Sequence, residues 1–149
     1  MDSIIYFILY SYRFKKGIVV AFFLLLTVVV TMLFTDMVKD YVARLRPNNV
    51  EVLGELIRIL QKPSNYSFFS GHASSSFSIA TFIVLMLRKF SKWIYLIYLW
   101  PLIFVMSRIF IGVHYPSDIF VGALVGTSFA WIFVIFCYKT LASKSLFKS

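Results

Sequence analysis

Between Lys16 and Asp36 the sequence carries no charged side chain, and the run VVAFFLLLTVVVTMLF inside that stretch is almost wholly apolar. About 20 such residues coiled as an α-helix cross the ~30 Å hydrocarbon layer of a bilayer. A lone strand in lipid would leave its N–H and C=O groups without partners, so the run is expected to be helical. The composition points the same way. The chain is 60% apolar and 14% charged, with mean hydropathy +0.86, against ~25% charged in an average soluble domain. An ordinary water-soluble globule is excluded, and so is a disordered chain. At 149 residues there is room for one domain and about five crossings.

Four spans are legible: about Gly17–Val38, Ala73–Leu87, Trp93–Ile111 and Ile119–Tyr138. The expected fold class is all-α, an integral-membrane helical bundle of four clear transmembrane helices. A short apolar segment, Ile4–Tyr10, precedes them. It is too short to cross and lacks the basic region and small-residue cleavage site of a signal peptide. The whole chain, 1–149, reads as a single membrane-embedded domain with its core at 17–138. The 48–66 connection is an amphipathic surface loop, in which Val50, Leu53, Leu56, Ile57 and Leu60 recur at helical spacing. It either merely covers the bundle or serves as a lid or lipid entry.

The net charge is +9, but the cations sit between apolar blocks, so a membrane explanation precedes nucleic acid, which is not expected as a partner. Arg13, Lys15 and Lys16, then Arg88, Lys89 and Lys92, then Lys139, Lys144 and Lys148 alternate with the spans and fall on one side. The positive-inside rule makes that side cytoplasmic. The opposite face also carries Lys39, Arg44, Arg46, Arg58, Lys62 and Arg108. Cations on the disfavoured face suggest that some are held there for an anion. The single cysteine, Cys137, lies in an apolar run and reads as packing. Gly122 and Gly126 permit close helix contact, within the chain or, as the alternative, in a homodimer.

Three polar segments interrupt the apolar background on that second face. In the first, Lys39 and Arg46 stand seven positions apart, about 700° on a helix and within ~20° of two full turns. Pro47 is expected to end the helix and to swing Arg46 inward. Asp36 is placed to pair with Lys39. In the second, Ser70 is an expected N-cap, the N–H groups behind it form an anion site, Gly71 permits close approach, and His72 lies in the first turn. Ser74, Ser75, Ser76 and Ser78 suit helix contact. In the third, Ser107-Arg108 leads to His114, Pro116 suits the first turn of the next helix, and Asp118 stands four residues after His114. A carboxylate there fixes the imidazole tautomer and raises the basicity of the other nitrogen. The chain has only two histidines, and both fall in these segments. Two His and one Asp suffice to ligate zinc, but the three nearby cations would repel it, so no metal and no cofactor is expected. Those cations suit a phosphate, where charge stabilisation carries most of the catalysis.

Together the segments resemble the three-part signature of the type-2 phosphatidic acid phosphatase superfamily. Lys39, six residues and Arg46-Pro47 match its first motif. Ser70-Gly71-His72 match the core of its second, with Phe69 in place of the usual proline. Ser107-Arg108, His114 and Asp118 match its third. The resemblance covers about 17–138. It implies that His114 attacks phosphorus to form a phosphohistidine, that Asp118 orients His114, and that His72 protonates the leaving oxygen. It implies that Lys39, Arg46 and Arg108 hold the phosphoryl oxygens with Ser70 and the Gly71 amide. It further implies a six-helix bundle with its site at the outer surface. Such a relative would carry one more whole span and a complete second span before Gly17, where this chain has Ile4–Tyr10; the chain is then either begun part-way or a minimal member.

The function expected is a multi-pass cell-membrane lipid phosphatase acting at the outer face on a lipid phosphate monoester or diphosphate. A polyprenyl diphosphate such as undecaprenyl diphosphate is the first candidate, and phosphatidic acid, phosphatidylglycerol phosphate and lipid A phosphate are rivals. The alternative is an inactive or truncated member that binds or moves anionic lipids. A soluble phosphatase or vanadate-dependent haloperoxidase is disfavoured by the spans.

Overall fold

A computed structural model describes residues 14–47 and 65–143; the segment Ile4–Tyr10, most of the 48–66 loop, and the cations Arg13, Arg58, Lys62, Lys144 and Lys148 lie outside the described residues. Among the described residues all regular structure is helical. α1 runs Phe14–Val42, α2 Gly71–Leu87, a 3-10 helix Lys92–Tyr98 leads directly into α3 Leu99–Phe110, and α4 runs Pro116–Ala142. α1, the joined 92–110 segment and α4 are each long and apolar enough to cross a bilayer, and α2 is a shorter apolar helix. The chain is therefore a multi-pass membrane helical bundle.

The surface is apolar, as lipid-facing helices require. Phe22, Leu25, Leu33, Met37, Ile103 and Trp131 are exposed, while Thr27, Thr31, Thr35, Ser74 and Ser78 are buried. Most of the buried hydroxyls satisfy themselves locally, Thr31 Oγ1 excepted: Thr27 Oγ1 donates to the Phe23 carbonyl at 2.6 Å and Thr35 Oγ1 to the Thr31 carbonyl at 2.7 Å. Thr35 Oγ1 and Ser74 Oγ also meet at 2.9 Å, tying α1 to α2. Ser75, Ser76 and Ser78 bond back to carbonyls of their own helix. At the other end Val20, Phe82, Ile83, Met86, Leu87, Ala130, Val134 and Cys137 form the apolar core of α1, α2 and α4.

α2 packs against both α1 and α4, which also touch each other, and the Gly122/Gly126 pair sets its distance from α4. A Cβ at Gly122 would stand 2.6 Å from the Ser70 carbonyl oxygen, and one at Gly126 would collide with the Ser74 carbonyl. Only glycine admits this approach, so the pair serves packing within the chain.

The helices alternate in direction. The end of α1 meets the start of α2, where the Gly71 backbone faces Lys39, and the Ser70 N–H donates to the Asp118 carbonyl at 3.0 Å, joining the starts of α2 and α4. At the opposite end Tyr138 donates to the Leu85 carbonyl at 3.2 Å. Lys15, Lys16, Arg88, Lys89, Lys92 and Lys139 gather at this second end, and Lys39, Arg44, Arg46 and Arg108 at the first.

Two local expectations are corrected. α1 does not continue to Pro47. It stops at Val42, because Ala43 takes a left-handed conformation with φ 49° while its N–H closes on the Lys39 carbonyl at 2.9 Å. Such a conformation costs a non-glycine residue about 1–2 kcal/mol. Lys39 is thus helical and Arg46 is not, so their shared position does not come from a seven-residue helical register. The third span is not a uniform α-helix either. Pro101 has no N–H to give to the Ile97 carbonyl and its ring crowds that oxygen, so the α-helix begins only at Leu99.

Candidate active site

The site end is built from three stretches that lack regular structure or open a helix. Ser70 caps α2, accepting from the Ala73 N–H at 3.4 Å, and is fully buried. Gly71 and His72, in the first turn behind it, line a cleft of ≈ 260 Å³ together with Met32, Thr35, Asp36, Lys39, Asn65 and Ser75. Lys39 is 7% exposed, and its ammonium lies 3.9 Å from the exposed Asp36. His72 is exposed and packs beside Phe104 at 5.4 Å between ring centres. The Arg108 guanidinium covers the same Phe104 ring at 5.1 Å, which places Arg108 beside His72.

Behind the cleft lies a buried trio. Arg46 is 4% exposed, His114 3% and Asp118 0%. The guanidinium of Arg46 spreads over three partner residues. Its Nε donates to the Asn65 carbonyl at 2.9 Å and its Nη2 to Asn65 Oδ1 at 2.7 Å. Its Nη1 donates to the Val113 carbonyl at 2.8 Å and meets His114 Nε2 at 3.2 Å. A guanidinium can only donate, so Nε2 must accept, and the ring proton of a neutral His114 then sits on Nδ1. Nδ1 faces Asp118 Oδ2 at 3.6 Å, an ion-pair separation longer than a direct hydrogen bond. Gly112, at φ 71°, makes the tight turn that brings His114 under the end of α3.

Burial is the main reason that His114 titrates below the ordinary histidine range. Asp118 opposes that shift, and the charges of Arg46 and Lys39 add to it. The imidazole is therefore neutral at neutral pH, with its Nε2 lone pair turned to the Arg46 donor. The fields of Arg108, His114, Lys39 and Arg46 all reach His72. Every residue singled out from sequence thus lies at one end of the bundle. Arg46, His114 and Asp118 adjoin, Lys39, Gly71 and His72 share the cleft, and Arg108 reaches it through Phe104. The Ser70 hydroxyl faces the helix start.

Three residues at the site were not singled out. Asn65 grips Arg46. Ser67 donates its hydroxyl to Asp118 Oδ2, and Arg44 Nη1 donates to Asp118 Oδ1 at 2.9 Å. Arg44 gave a signal, as one more cation on the disfavoured face; Asn65 and Ser67 gave none.

The model of the PAP2 superfamily matches residues 5–141. The chain is 31% identical to a lipid A 4'-phosphatase of Bacteroides thetaiotaomicron over 149 residues, covering 94% of this chain and 64% of that protein. It is 30% identical to an undecaprenyl-diphosphatase of Sulfolobus acidocaldarius over 120 residues, covering 80% of this chain and 54% of that protein. A decaprenylphosphoryl-5-phosphoribose phosphatase of Mycobacterium tuberculosis is 34% identical over 92 residues, 62% of this chain and 47% of that protein. The chain thus spans roughly half to two thirds of the length of these curated relatives. No solved structure matches it significantly.

Proposed function

The chain belongs to the PAP2 superfamily, and on that premise we propose that it is a membrane lipid phosphatase working through a phosphohistidine. The observation that carries the proposal is the buried contact between Arg46 and His114 Nε2. It sets an obligate cation on the imidazole nitrogen that is to attack, at the edge of a cationic cleft, and that donor passes to a phosphoryl oxygen as the lone pair turns to phosphorus.

The substrate phosphate would enter the cleft between Lys39 and the amide of Gly71 and take donors from Arg46 and Arg108. Ser70 contributes by holding the start of α2 so that its amides face the anion. His114 Nε2 then attacks phosphorus, forming a P–N bond as the bond to the leaving oxygen breaks. Asp118 faces the Nδ1 proton and balances the positive charge growing on the ring. His72 gives the leaving oxygen its proton. Water next attacks the phosphohistidine, passes a proton to His72, and the P–N bond breaks to release phosphate. The cations are worth most in the transition state, where charge spreads over the phosphoryl oxygens.

The substrate class is an amphiphile whose phosphate lies at the bilayer rim. The relatives' names support this, since each acts on a lipid-linked phosphate or diphosphate. Undecaprenyl diphosphate remains the first candidate, with lipid A phosphate beside it. The basic end formed by Lys15, Lys16, Arg88, Lys89, Lys92 and Lys139 supports an outer-face site by the positive-inside rule. The unit that acts is the single membrane-embedded domain 1–149.

The test is phosphate release from a panel of lipid phosphates in detergent with chelator present. Wild type is expected to turn over at least one of them, and His114→Ala none. Binding of anionic lipid without release would favour the inactive, lipid-binding alternative.

A further inference from the structure

Asp118 is fully buried, and its two oxygens face different partners. Oδ1 accepts from Arg44 Nη1 at 2.9 Å. Oδ2 accepts from the Ser67 hydroxyl and, at 3.0 Å, from the Tyr115 N–H, and it is the oxygen nearest His114 Nδ1. Arg44 is itself fixed. Its guanidinium lies over the Tyr115 ring at 4.0 Å and donates to Ser117 Oγ at 3.2 Å. The Ser67 N–H donates to the Arg44 carbonyl at 2.8 Å, so the two residues are stitched together before either reaches Asp118. The Nη1 of Arg44 is spent on Asp118 Oδ1 and Ser117 Oγ, which makes Arg44 a partner of the carboxylate.

We propose that Arg44 and Ser67 are positioning residues that act on His114 through Asp118, pinning the carboxylate with Oδ2 toward Nδ1 and setting the net charge the imidazole feels. This rests on the phosphohistidine reading. A carboxylate held at both oxygens cannot rotate away from the ring during the transfer. The Arg44 charge also offsets part of the Asp118 field at His114. The other charged and titratable groups facing His114 are Arg46 from the 43–47 segment, Lys39 from α1 and His72 from α2, and none of these changes when Arg44 does. Without the Arg44 charge, the field of Asp118 acts on the ring less opposed, the imidazolium is favoured, and the histidine titrates at higher pH. The neutral, attacking form is then scarcer at a given pH.

The experiment follows the histidine rings of the full chain in detergent by NMR with carbon-13-labelled histidine. The chain's two histidines are assigned with a His72→Asn variant. Arg44→Gln is expected to raise the His114 titration by roughly half a pH unit or more, while Arg44→Lys, which keeps the charge, leaves it near wild type. Ser67→Ala, a smaller change, raises it in the same direction. In activity, Arg44→Gln is expected to lower kcat by about 10–100-fold with KM little changed. Binding of inorganic vanadate, the phosphate probe, is expected to weaken by less than about threefold, a factor worth under 1 kcal/mol. An unmoved His114 titration in both Arg44→Gln and Ser67→Ala overturns the inference. So does a loss of vanadate affinity in step with kcat, which would make Arg44 a phosphate ligand. The titration needs no turnover, so a wild-type protein that releases no phosphate counts against the proposed function alone.

Discussion

Replacing Arg46 by lysine keeps the charge and removes the fork. Arg46 makes four contacts in two directions: two to Asn65 at 2.9 and 2.7 Å, one to the Val113 carbonyl at 2.8 Å, and one to His114 Nε2 at 3.2 Å. A lysine ammonium is a single point and reaches one of these directions at a time. The cost to folding is moderate. Asn65 is exposed, so water replaces the donors it loses, whereas the Val113 carbonyl and His114 Nε2 are buried, and each carries a penalty of about 1–3 kcal/mol if left without a donor. The cost to catalysis is larger, because the fork is what sets a phosphoryl donor beside the attacking nitrogen. Losing one such preorganised donor costs about 2.7–4 kcal/mol of transition-state stabilisation, or roughly 10²–10³-fold in kcat. The assay is initial-rate phosphate release in micelles over a range of lipid phosphate concentrations, beside a thermal unfolding scan. A variant that melts a few degrees below wild type but turns over about 10²–10³-fold more slowly is expected. An Arg46→Lys enzyme within about threefold of wild-type kcat, a difference under 1 kcal/mol, refutes the reasoning, because charge alone would then suffice.

Because His114 must be neutral to attack and burial lowers its titration, the acid limb of log kcat/KM is expected below pH 6.5, once the substrate's own ionisation is subtracted; an acid limb at or above that value contradicts the buried-imidazole account. Gly126→Leu puts a side chain where α4 meets the Ser74 carbonyl, so the bundle must open; a loss of stability of at least about 1–3 kcal/mol is expected by thermal or denaturant unfolding in detergent, and a variant as stable as wild type would show that the helices do not approach so closely.

The spans were legible because lipid imposes a plain rule: the observed helices contain the first, second and fourth expected runs, and the third, expected to reach Ile111, ends one residue earlier at Phe110. The start of α2 was legible for a local reason: Ser70 caps it through a contact three residues away. The end of α1 was not. Pro47 supplied a stop signal, but Ala43 stops the helix first, in a conformation that no alanine announces. Pro101 stood in plain sight within the third span, yet hydropathy registers its apolar ring and not its missing N–H. The site residues that were missed share one property, which is that their partners are remote in sequence. Arg44 and Asp118 are 74 positions apart, and Asn65 and Ser67 lie beyond Leu60, the last residue of the periodic run in their connection. Chain order shows that a carboxylate is near a histidine four residues away; it does not show what else holds the carboxylate.

The central claim is that His114 carries the phosphoryl group. Rapid quenching of the full chain with a lipid substrate labelled in its phosphate, followed by digestion and mapping, tests it most directly. The account predicts label on the peptide containing His114, stable to alkali, lost in acid, and absent from His114→Ala. Turnover of the substrate with no label at residue 114, or label undiminished by that substitution, would contradict it.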